Sequence, residues 1–556
     1  MLGLYLLFIL TSSIPAVQEY AGKRVAGMLA HKLGTSVSIG RINFGMLNHL
    51  TLDDVLIKDQ QGHDMLRAAR LSASIDLFPL TEGKISIATA QLFATHANLY
   101  RATAESKPNF QFVLDSLASK DSTSTPLDLR INSLIIRRSS VRYDCYDKEE
   151  TPNRINPNHI HLTSVSAHIV LKALTSDSLN VNIKRLAFKE KSGLQINRLN
   201  LRFEAGRNSC QLHDFLLRMP GTEFRIEDIK ASYRFRGDHF VKPSLSYSGH
   251  IKLSTITLAD ISCLLPSLNT FHSTLSLSAA FDGQGNLLQV KSLKVGSTTG
   301  DISLDLSGRV RELGHVDPDW IAHIHDLALS AKTISFISEN LKGERISVPD
   351  YIVRMGNIHL KGDASGKGTE SGLSNLHLNT DAGNVDLSFS IDKQRHFKSK
   401  INTNKLDLKR LLSNNSFGGL AVNIQMSGQI PANGQVSVAA DGIINSMEYN
   451  GYNYRNIKIN GKYSPTDIQG RLNIDDTNIK IAFDGSIKKK DKLSHVSLTT
   501  DIDHLYPKAI RLSDQWGEAS FSGKLAADFS ASNINDAVGD INLWDFAMQG
   551  PKRTIT

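Results

Sequence analysis

Val385-Asp386-Leu387-Ser388-Phe389-Ser390-Ile391 alternates apolar and polar side chains without a break. Successive side chains of a strand point to opposite faces, so Val385, Leu387, Phe389 and Ile391 share one face and the Asp and Ser residues the other. The same period of two recurs on both sides, in Leu199, Leu201 and Phe203; in Leu275, Leu277, Ala279 and Phe281; in Leu420, Val422, Ile424 and Met426; and in Ile479, Ile481 and Phe483. From Val37 onward such runs follow one another, broken roughly every 8 to 15 residues by Gly, Asn, Asp or Ser. The pattern predicts antiparallel sheet with one apolar and one polar face. Over about 500 residues almost no helical sequence is present to cover the apolar face, so something else must cover it.

Hydrophobic residues make up 40% of the 556 and charged residues 21%, the composition of a chain that buries apolar surface rather than staying disordered. The net charge of +8 is scattered along the strands as single polar-face positions. It reads as a solvated face, with a diffuse attraction to anionic headgroups or phosphates as the alternative. No basic stripe interleaved with stacking aromatics is present, so nucleic acid is not an expected partner. Cys145, Cys210 and Cys263 are odd in number and widely spaced, which makes neither a disulfide framework nor a zinc site. Each is expected to pack as a small apolar residue; in an oxidising compartment one pair could bridge, and spacing does not choose which.

The chain opens on an apolar run that includes Leu2, Leu4, Leu6, Leu7, Phe8, Ile9 and Leu10. With the hydroxyl residues that follow it reaches about 17 residues, the lower limit for crossing a bilayer. The favoured reading is a membrane anchor over 1–16, uncleaved or truncated at its start. A cleaved signal peptide and a buried core helix are the alternatives; no basic region precedes the run, and Ser13-Ile14-Pro15-Ala16 is a poor cleavage site. An amphipathic capping helix is expected over 17–34, with Val17, Ala21, Val25, Met28 and Leu33 on one face and Gly34 as its stop. Laid across the first strands, it would cover an otherwise open sheet edge.

A first β region is expected over 35–115 and a continuing β-groove over 127–556, incomplete at its C-terminus, since the sequence stops at Lys552-Arg553-Thr554-Ile555-Thr556 in the middle of the strand texture. Ser116 to Pro126 and Lys148 to Pro157 read as loops. A weak repeat sets a strand, an Asp and a leucine pair in order: Ile256, Leu258, Asp260, Leu264 and Leu265, then Leu406, Asp407, Leu408, Leu411 and Leu412, with Leu327, Leu329, Ile334, Phe336 and Ile337 as a decayed copy. It predicts a strand running into one helical turn that folds back over the sheet. Tyr449 to Ile487 reads as hairpins with turns at Asn450-Gly451, Asn460-Gly461 and Asp475-Asp476.

Spacings that support catalysis are missing. Gly362-Asp363-Ala364-Ser365-Gly366-Lys367-Gly368 is one residue short of a phosphate loop, lacks a hydroxyl residue after Lys367, and reads as a turn. His159 and His161, like His323 and His325 beside Asp326, share a strand face and could form half a metal site, but no third ligand is apparent. Asp53-Asp54 and Asp475-Asp476 read as strand ends. No nucleophile elbow, His-Glu-x-x-His or nucleotide fingerprint occurs, and no enzyme activity, metal or cofactor is expected.

Residues 31–101 carry a more specific order. Leu33-Gly34 leads to Val37, Ile39, Gly40 and Ile42, then Leu50, Leu52, Val55, Ile57, Asp59, Gly62 and Leu66, and then Leu71, Ile75, Leu77, Pro79, Leu80, Ile85, Ile87, Leu92, Ala97, Leu99 and Arg101. With the leading apolar segment and helix, this resembles the amino-terminal region of the AsmA and TamB family of Gram-negative bacteria, in the form found in TamB-like translocation and assembly module proteins. The resemblance implies an inner-membrane protein, single-pass, with its bulk in the periplasm, whose long sheet curls into an open hydrophobic groove, the β-taco or repeating β-groove. It further implies phospholipid transfer between inner and outer membranes, support of outer-membrane protein assembly through an Omp85-type partner, or both. From 102 onward the likeness is one of texture, and the family's large carboxy-terminal domain is not visible.

The alternating pattern supplies a mechanism for such a groove. Acyl chains would lie on the apolar floor, each buried methylene worth about 0.8 kcal/mol, while the headgroup stays in water. The expected lining includes Leu199, Leu201, Phe203, Leu275, Leu277, Phe281, Val385, Leu387, Phe389, Val422, Ile424, Ile479, Ile481 and Phe483. The leading rival is a structural or surface β-sandwich scaffold with a closed core and no lipid cargo, which would show domain boundaries about every 100 residues. A parallel β-helix enzyme would show coils of regular length, and an outer-membrane barrel roughly ten-residue strands with aromatic girdles, where the runs here look shorter.

Overall fold

In the computed structural model, which describes residues 10–45, 49–76, 86–118, 130–174, 178–237, 239–264, 274–340, 348–431, 434–490, 493–532, 536–550 and 553–555, the alternating runs are strands. Strands hold 65% of the residues and helices 11%, too little helix to cover one face of so much sheet. The chain divides into two units, Met1–Gly285 and Asn286–Thr556. Residues 115 and 127 both fall inside the first. Of the expected membrane anchor only Leu10 onward is described, and no described helix is long and apolar enough to cross a membrane. Leu2, Leu4, Leu6, Leu7, Phe8 and Ile9 lie outside the described residues, as do Leu77, Pro79, Leu80, Ile85, Leu265 and Lys552.

The first unit opens with helix α1, Pro15–Leu33, which Gly34 ends in a left-handed conformation (φ 65°) with its N–H on the Ala30 carbonyl. As expected, α1 lies on the first strands: Ala26 joins Ile39, Ile42, Val55 and Ala68 in a buried core. Gly22 allows the approach, since a Cβ there would stand 3.0 Å from the Ile39 carbonyl oxygen. Val37–Ser38 and Arg41–Gly45 pair with His49–Lys58, and Asp64–Asp76 and Ser86–Arg101 follow antiparallel. The next step departs from the expected pattern. Ser86–Arg101 and Ser133–Cys145 are parallel, because the connection between them, which contains helix α2 (Gln111–Ala118), is long enough to carry the chain back to the same end. Ser116 therefore ends in a helix rather than opening a loop, and 119–126 lie outside the described residues. Antiparallel pairing then runs through His159–Leu174, Ser178–Glu190, Gln195–Gly206, Ser209–Arg218, Glu223–Ser232, Ser246–Thr257 and Thr274–Gln284. The loop over 146–158 reaches forward, and the Ile155 N–H donates to the Cys263 carbonyl at 3.0 Å.

In the second unit every strand from Leu287–Ser297 to Val538–Gln549 pairs antiparallel with the next, and Thr554–Ile555 pairs with the last of them. No pairing joins Leu287–Ser297 to Val538–Gln549, so among the described residues this sheet is not closed on itself. Strand direction alternates, so the connections after Asp319–Leu329, His396–Asp407 and Leu493–Leu505 leave at one edge. That edge carries helices α3 (Ala331–Asn340), α4 (Asp350–Arg354) and α5 (Leu408–Leu412) and the turns over 506–519. This is the predicted strand-to-helix repeat; its first copy, after Ser246–Thr257, forms the 3-10 turn Leu258–Ile261. Asp407 caps α5 by accepting from the Arg410 N–H at 3.0 Å. Arg354 Nε donates to the Leu411 carbonyl and Arg410 Nε to the Arg354 carbonyl, both at 2.7 Å, which locks α4 to α5.

Several local expectations are corrected. Residues 362–367 belong to strand Ile358–Lys367, not to a turn; Gly366 is there because a Cβ would stand 2.8 Å from the Trp320 indole. Asn460-Gly461 lies inside strand Tyr452–Tyr463, while Asn450-Gly451 does turn, both with positive φ. Asp53-Asp54 lies inside His49–Lys58, with Asp54 at φ 55°, and does not end it. Strands of 10 to 16 residues are common, such as Ser178–Glu190 and His159–Leu174, so the runs are not too short for a barrel.

Candidate functional site

Cross-strand register lines the apolar residues up across the strands. In the first unit one row runs Ile42, Leu52, Leu71, Leu92, Ile136, Ala167, Leu186, Leu199, Leu217 and Phe224, each opposite the next. Phe203 stands between Val181 and Leu212, Leu201 opposite Ile183, Leu275 opposite Ile256, Leu277 opposite Ser254 and Phe281 opposite Gly249. All six lining residues expected here thus fall on the apolar face.

The second unit repeats the arrangement. Leu376, Leu387, Ile401, Ile424, Gly442, Ile459, Leu472, Phe483, Thr500, Leu525 and Leu543 form one row. Val422, Ile444, Ile457, Ile474, Ile481 and Ile502 form a second. Val385 partners Leu378 and Phe389 partners Leu373. Burial is uneven. Ile334, Ile358, Ala382, Leu411, Ile479 and Ile510 are buried at the edge that bears the helices, and Val422 is buried near it, so Ile479 and Val422 are closed off by protein. Ile457, in the same row as Val422, is also buried, whereas its row neighbours Ile474 and Ile481 and, farther from the edge, Leu472, Phe483, Ile487 and Val496 are only half-buried.

A cavity of about 640 Å³ opens on this half-buried stretch, walled by Ile459, Leu472 and Phe483 on one side and by Tyr463, Ile468, Ile487 and Val496 on the other. Between the walls runs a row with almost no side chains, Ala440, Gly461, Gly470 and Gly485, each opposite the next. None of the three glycines has a positive φ, so the backbone does not demand glycine there. At Gly470 an added Cβ would meet only ordinary neighbours, the nearest being the Asn460 carbonyl at 3.4 Å, whereas the Phe483 ring leans over Gly485. The lane spans three strand spacings, about 14 Å, and runs across the strands. A larger cavity of about 780 Å³ lies on the polar face, lined by Asp441, Lys458, Arg471, Asp484 and Trp544; Arg471 and Asp484 neutralise each other there at 2.6 Å. Of the expected lining residues, Ile481 and Phe483 reach the apolar cavity. The glycine lane went unread because it exists only across strands, in register, and not along the sequence.

The histidine pair does have a third partner. Asp144 Oδ1 accepts from His159 Nδ1 and His161 Nε2, both at 2.9 Å, and Oδ2 from Arg142 Nε at 2.5 Å. His159 Nε2 lies 2.8 Å from the Lys148 carbonyl, so both ring nitrogens face acceptors, an arrangement that favours the protonated ring. Burial alone would raise the Asp144 pKa, but the hydrogen bonds from His159, His161 and Arg142 outweigh it and bring it down to about 2. The hydrogen bond to Asp144 raises that of His159. Asp144, Glu150 and His159 bring ligand atoms within 4.8 Å of one another. The Arg142 guanidinium on that carboxylate and the Lys191 ammonium on Glu150 at 2.8 Å make the group a closed ion-pair network, not a cation site. His323 and His325 separate, to Asp363 at 2.7 Å and Ser307 at 2.9 Å. The three cysteines are free, Cys145 and Cys263 buried.

No protein-family model matches the chain, and neither does any curated protein or solved structure.

Proposed function

We propose that the chain carries lipid acyl chains along an apolar sheet face that its own side chains leave open, as a non-enzymatic, inner-membrane-anchored periplasmic protein of the AsmA and TamB kind. The observation that carries this reading is the half-buried floor around Gly461 and Gly470: apolar rows in register and, between them, a lane of Ala440, Gly461 and Gly470 that ends where the Phe483 ring leans over Gly485. In a sandwich the same rows would be buried by a facing sheet. Each unit instead holds one sheet, apart from the two-residue hairpin Phe235–Arg236 with His239–Phe240. About eleven carbons of an acyl chain fit the length of the lane, and burying half their surface amounts to roughly 4 kcal/mol at about 0.8 kcal/mol per methylene. The gain changes little from strand to strand, so lipid would slide rather than lodge, and direction would be set by the membranes or partners at the ends. Phospholipid is the proposed cargo. Support of outer-membrane protein assembly through an Omp85-type partner would use the same face.

Native mass spectrometry of the chain purified in mild detergent tests the reading. Phospholipid retained through gentle washing, and lost on Ile481→Asp, is the expected result. A lipid-free protein that takes up no fluorescent fatty acid would leave the scaffold reading in its place.

A further inference from the structure

The polar face of the first unit carries cations that its own carboxylates do not answer. Between residues 159 and 202 the sequence sets Lys172, Lys184, Arg185, Lys189, Lys191, Arg198 and Arg202 against Asp177 and Glu190 alone. Glu190 is occupied by the backbone N–H groups of His161 and Ser192. Lys191 is paired with Glu150, and Arg202 with Asp214 at 3.4 Å. Lys184, Arg185 and Arg198 have no carboxylate at ion-pair distance among the described residues. Register gathers them on one face: Ile135 faces His168, His168 faces Arg185, and Arg198 faces Arg218. Arg137 stands two residues beyond Ile135 on the same strand. The Asn200 amide donates to the Lys184 carbonyl and accepts from Arg198 Nε, both at 2.7 Å, so Lys184 and Arg198 are one amide apart. Burial, then Lys184 and Arg137, push the His168 pKa down, so these cations act on the same patch of sheet.

Like charges set side by side on a sheet repel one another unless an anion answers them. A compact anion would need donors converging in a pocket, whereas these cations are spread over neighbouring strands about 4.8 Å apart. Such an array fits a surface that presents many phosphates. Phe93, the aromatic beside it, has the Arg138 guanidinium 5.9 Å from its ring centroid. We propose that this face docks on an anionic bilayer surface through its phosphate headgroups, with Arg137, Lys184, Arg185 and Arg198 as the principal contacts. The proposal stands apart from the groove, which uses the opposite face.

Flotation of the full chain with vesicles tests it, comparing phosphatidylcholine alone with phosphatidylcholine containing about 30% phosphatidylglycerol at about 0.15 M salt. Binding should be tighter to the anionic vesicles, and Lys184→Gln with Arg185→Gln should weaken that anionic-lipid-dependent gain roughly 30-fold. Lys458→Gln with Lys462→Gln, on the polar face of the second unit, should leave it unchanged. The apolar N-terminal segment is common to all variants, so the difference between them isolates the patch. Equal binding to neutral vesicles, or equal loss with the second-unit pair, overturns the proposal. So does retention on heparin or DNA without retention on anionic vesicles, which would make the partner an acidic polymer.

Discussion

Asp59 is almost wholly enclosed and accepts four hydrogen bonds: from the Gln61 and His63 N–H groups at 3.0 and 2.8 Å, the Tyr100 hydroxyl at 2.9 Å and the Asn109 amide at 3.5 Å. Burial opposes the charge, but the four donors win and the pKa is lowered, while burial and then Asp59 push that of Tyr100 up to about 12. Asp59→Ala would orphan donors in the 59–63 turn, on strand Ser86–Arg101 and in the loop after it, a loss of about 3 kcal/mol, read as faster hydrogen exchange over 57–64 and 98–110. Asp59→Asn should lower the Tyr100 titration midpoint toward 10, seen in its ultraviolet pH titration; a midpoint still near 12 would contradict the assignment. Asp144 and His159 predict a pH window for the loop over 146–158. The Asp144 carboxyl, depressed from 3.8 to about 2, contributes about 2 kcal/mol that is present above pH 4 and lost as the pH falls toward 2. The His159 contribution, from a raised pKa, is full below 6.5 and fades as the pH rises through the folded value. Protection in 146–158, the exchange rate relative to the intrinsic rate at each pH, should therefore be greatest between about pH 4 and 6.5 and fall on either side. The sequence showed the histidine pair but not Asp144, because partners fifteen and seventeen residues apart meet only after Ser133–Cys145 and His159–Leu174 pair.

Elements announced themselves unequally. Helix α1 was legible as an element because the Gly34 stop is a local signal and holds, but its apolar spacing misplaces the inner face: Val17 and Met28 are exposed, and Gly22 and Ala26, flanked by Ala21, Val25 and Leu29, are the residues that meet the strands. The strand-to-helix repeat was legible for the same reason, since Asp407 caps α5 through a bond that spans three residues. The parallel step at Ser133–Cys145 was not, because alternation is blind to strand direction, and neither was the in-strand role of Gly362 or Gly461, because glycine marks a turn and a close crossing alike. Gly22 tests what α1 does. Its missing side chain lets the helix rest on the Ile39 and Gly40 carbonyls, where a Cβ would stand at 3.0 and 3.3 Å. Gly22→Leu overpacks that crossing at a cost of about 2 kcal/mol, and should speed exchange in Arg41–Gly45 and His49–Lys58 while the strands of the second unit keep their protection. Unchanged protection in the first strands would show that α1 does not cover them.

Taken over its length, the chain treats the two faces of its sheets differently, and the consequences are thermodynamic. The polar faces carry cross-strand ion pairs such as Arg471 with Asp484 and Lys294 with Asp305, which are exposed and contribute little apiece. The apolar faces gain their stability at the buried edge and under α1, which leaves the middle of the floor free to remain half-exposed without unfolding the unit. Such a floor should tolerate trimming and resist filling. Ile481→Ala removes one of many equivalent side chains and should reduce retained lipid less than twofold. Gly470→Phe acts in the opposite sense. Its backbone is ordinary strand, a larger residue there raises strand propensity, and the fold should hold or gain by a few tenths of a kcal/mol. Its ring, however, would stand in the lane between Leu472 and Ile468, where the acyl chain is placed. The expected outcome is an unchanged or raised melting temperature together with a severalfold loss of bound lipid by native mass spectrometry. If Gly470→Phe keeps its lipid, the lane is packing slack between strands and the acyl chain lies elsewhere on the face. If it loses lipid and stability together, the glycine serves the fold first and the cavity second.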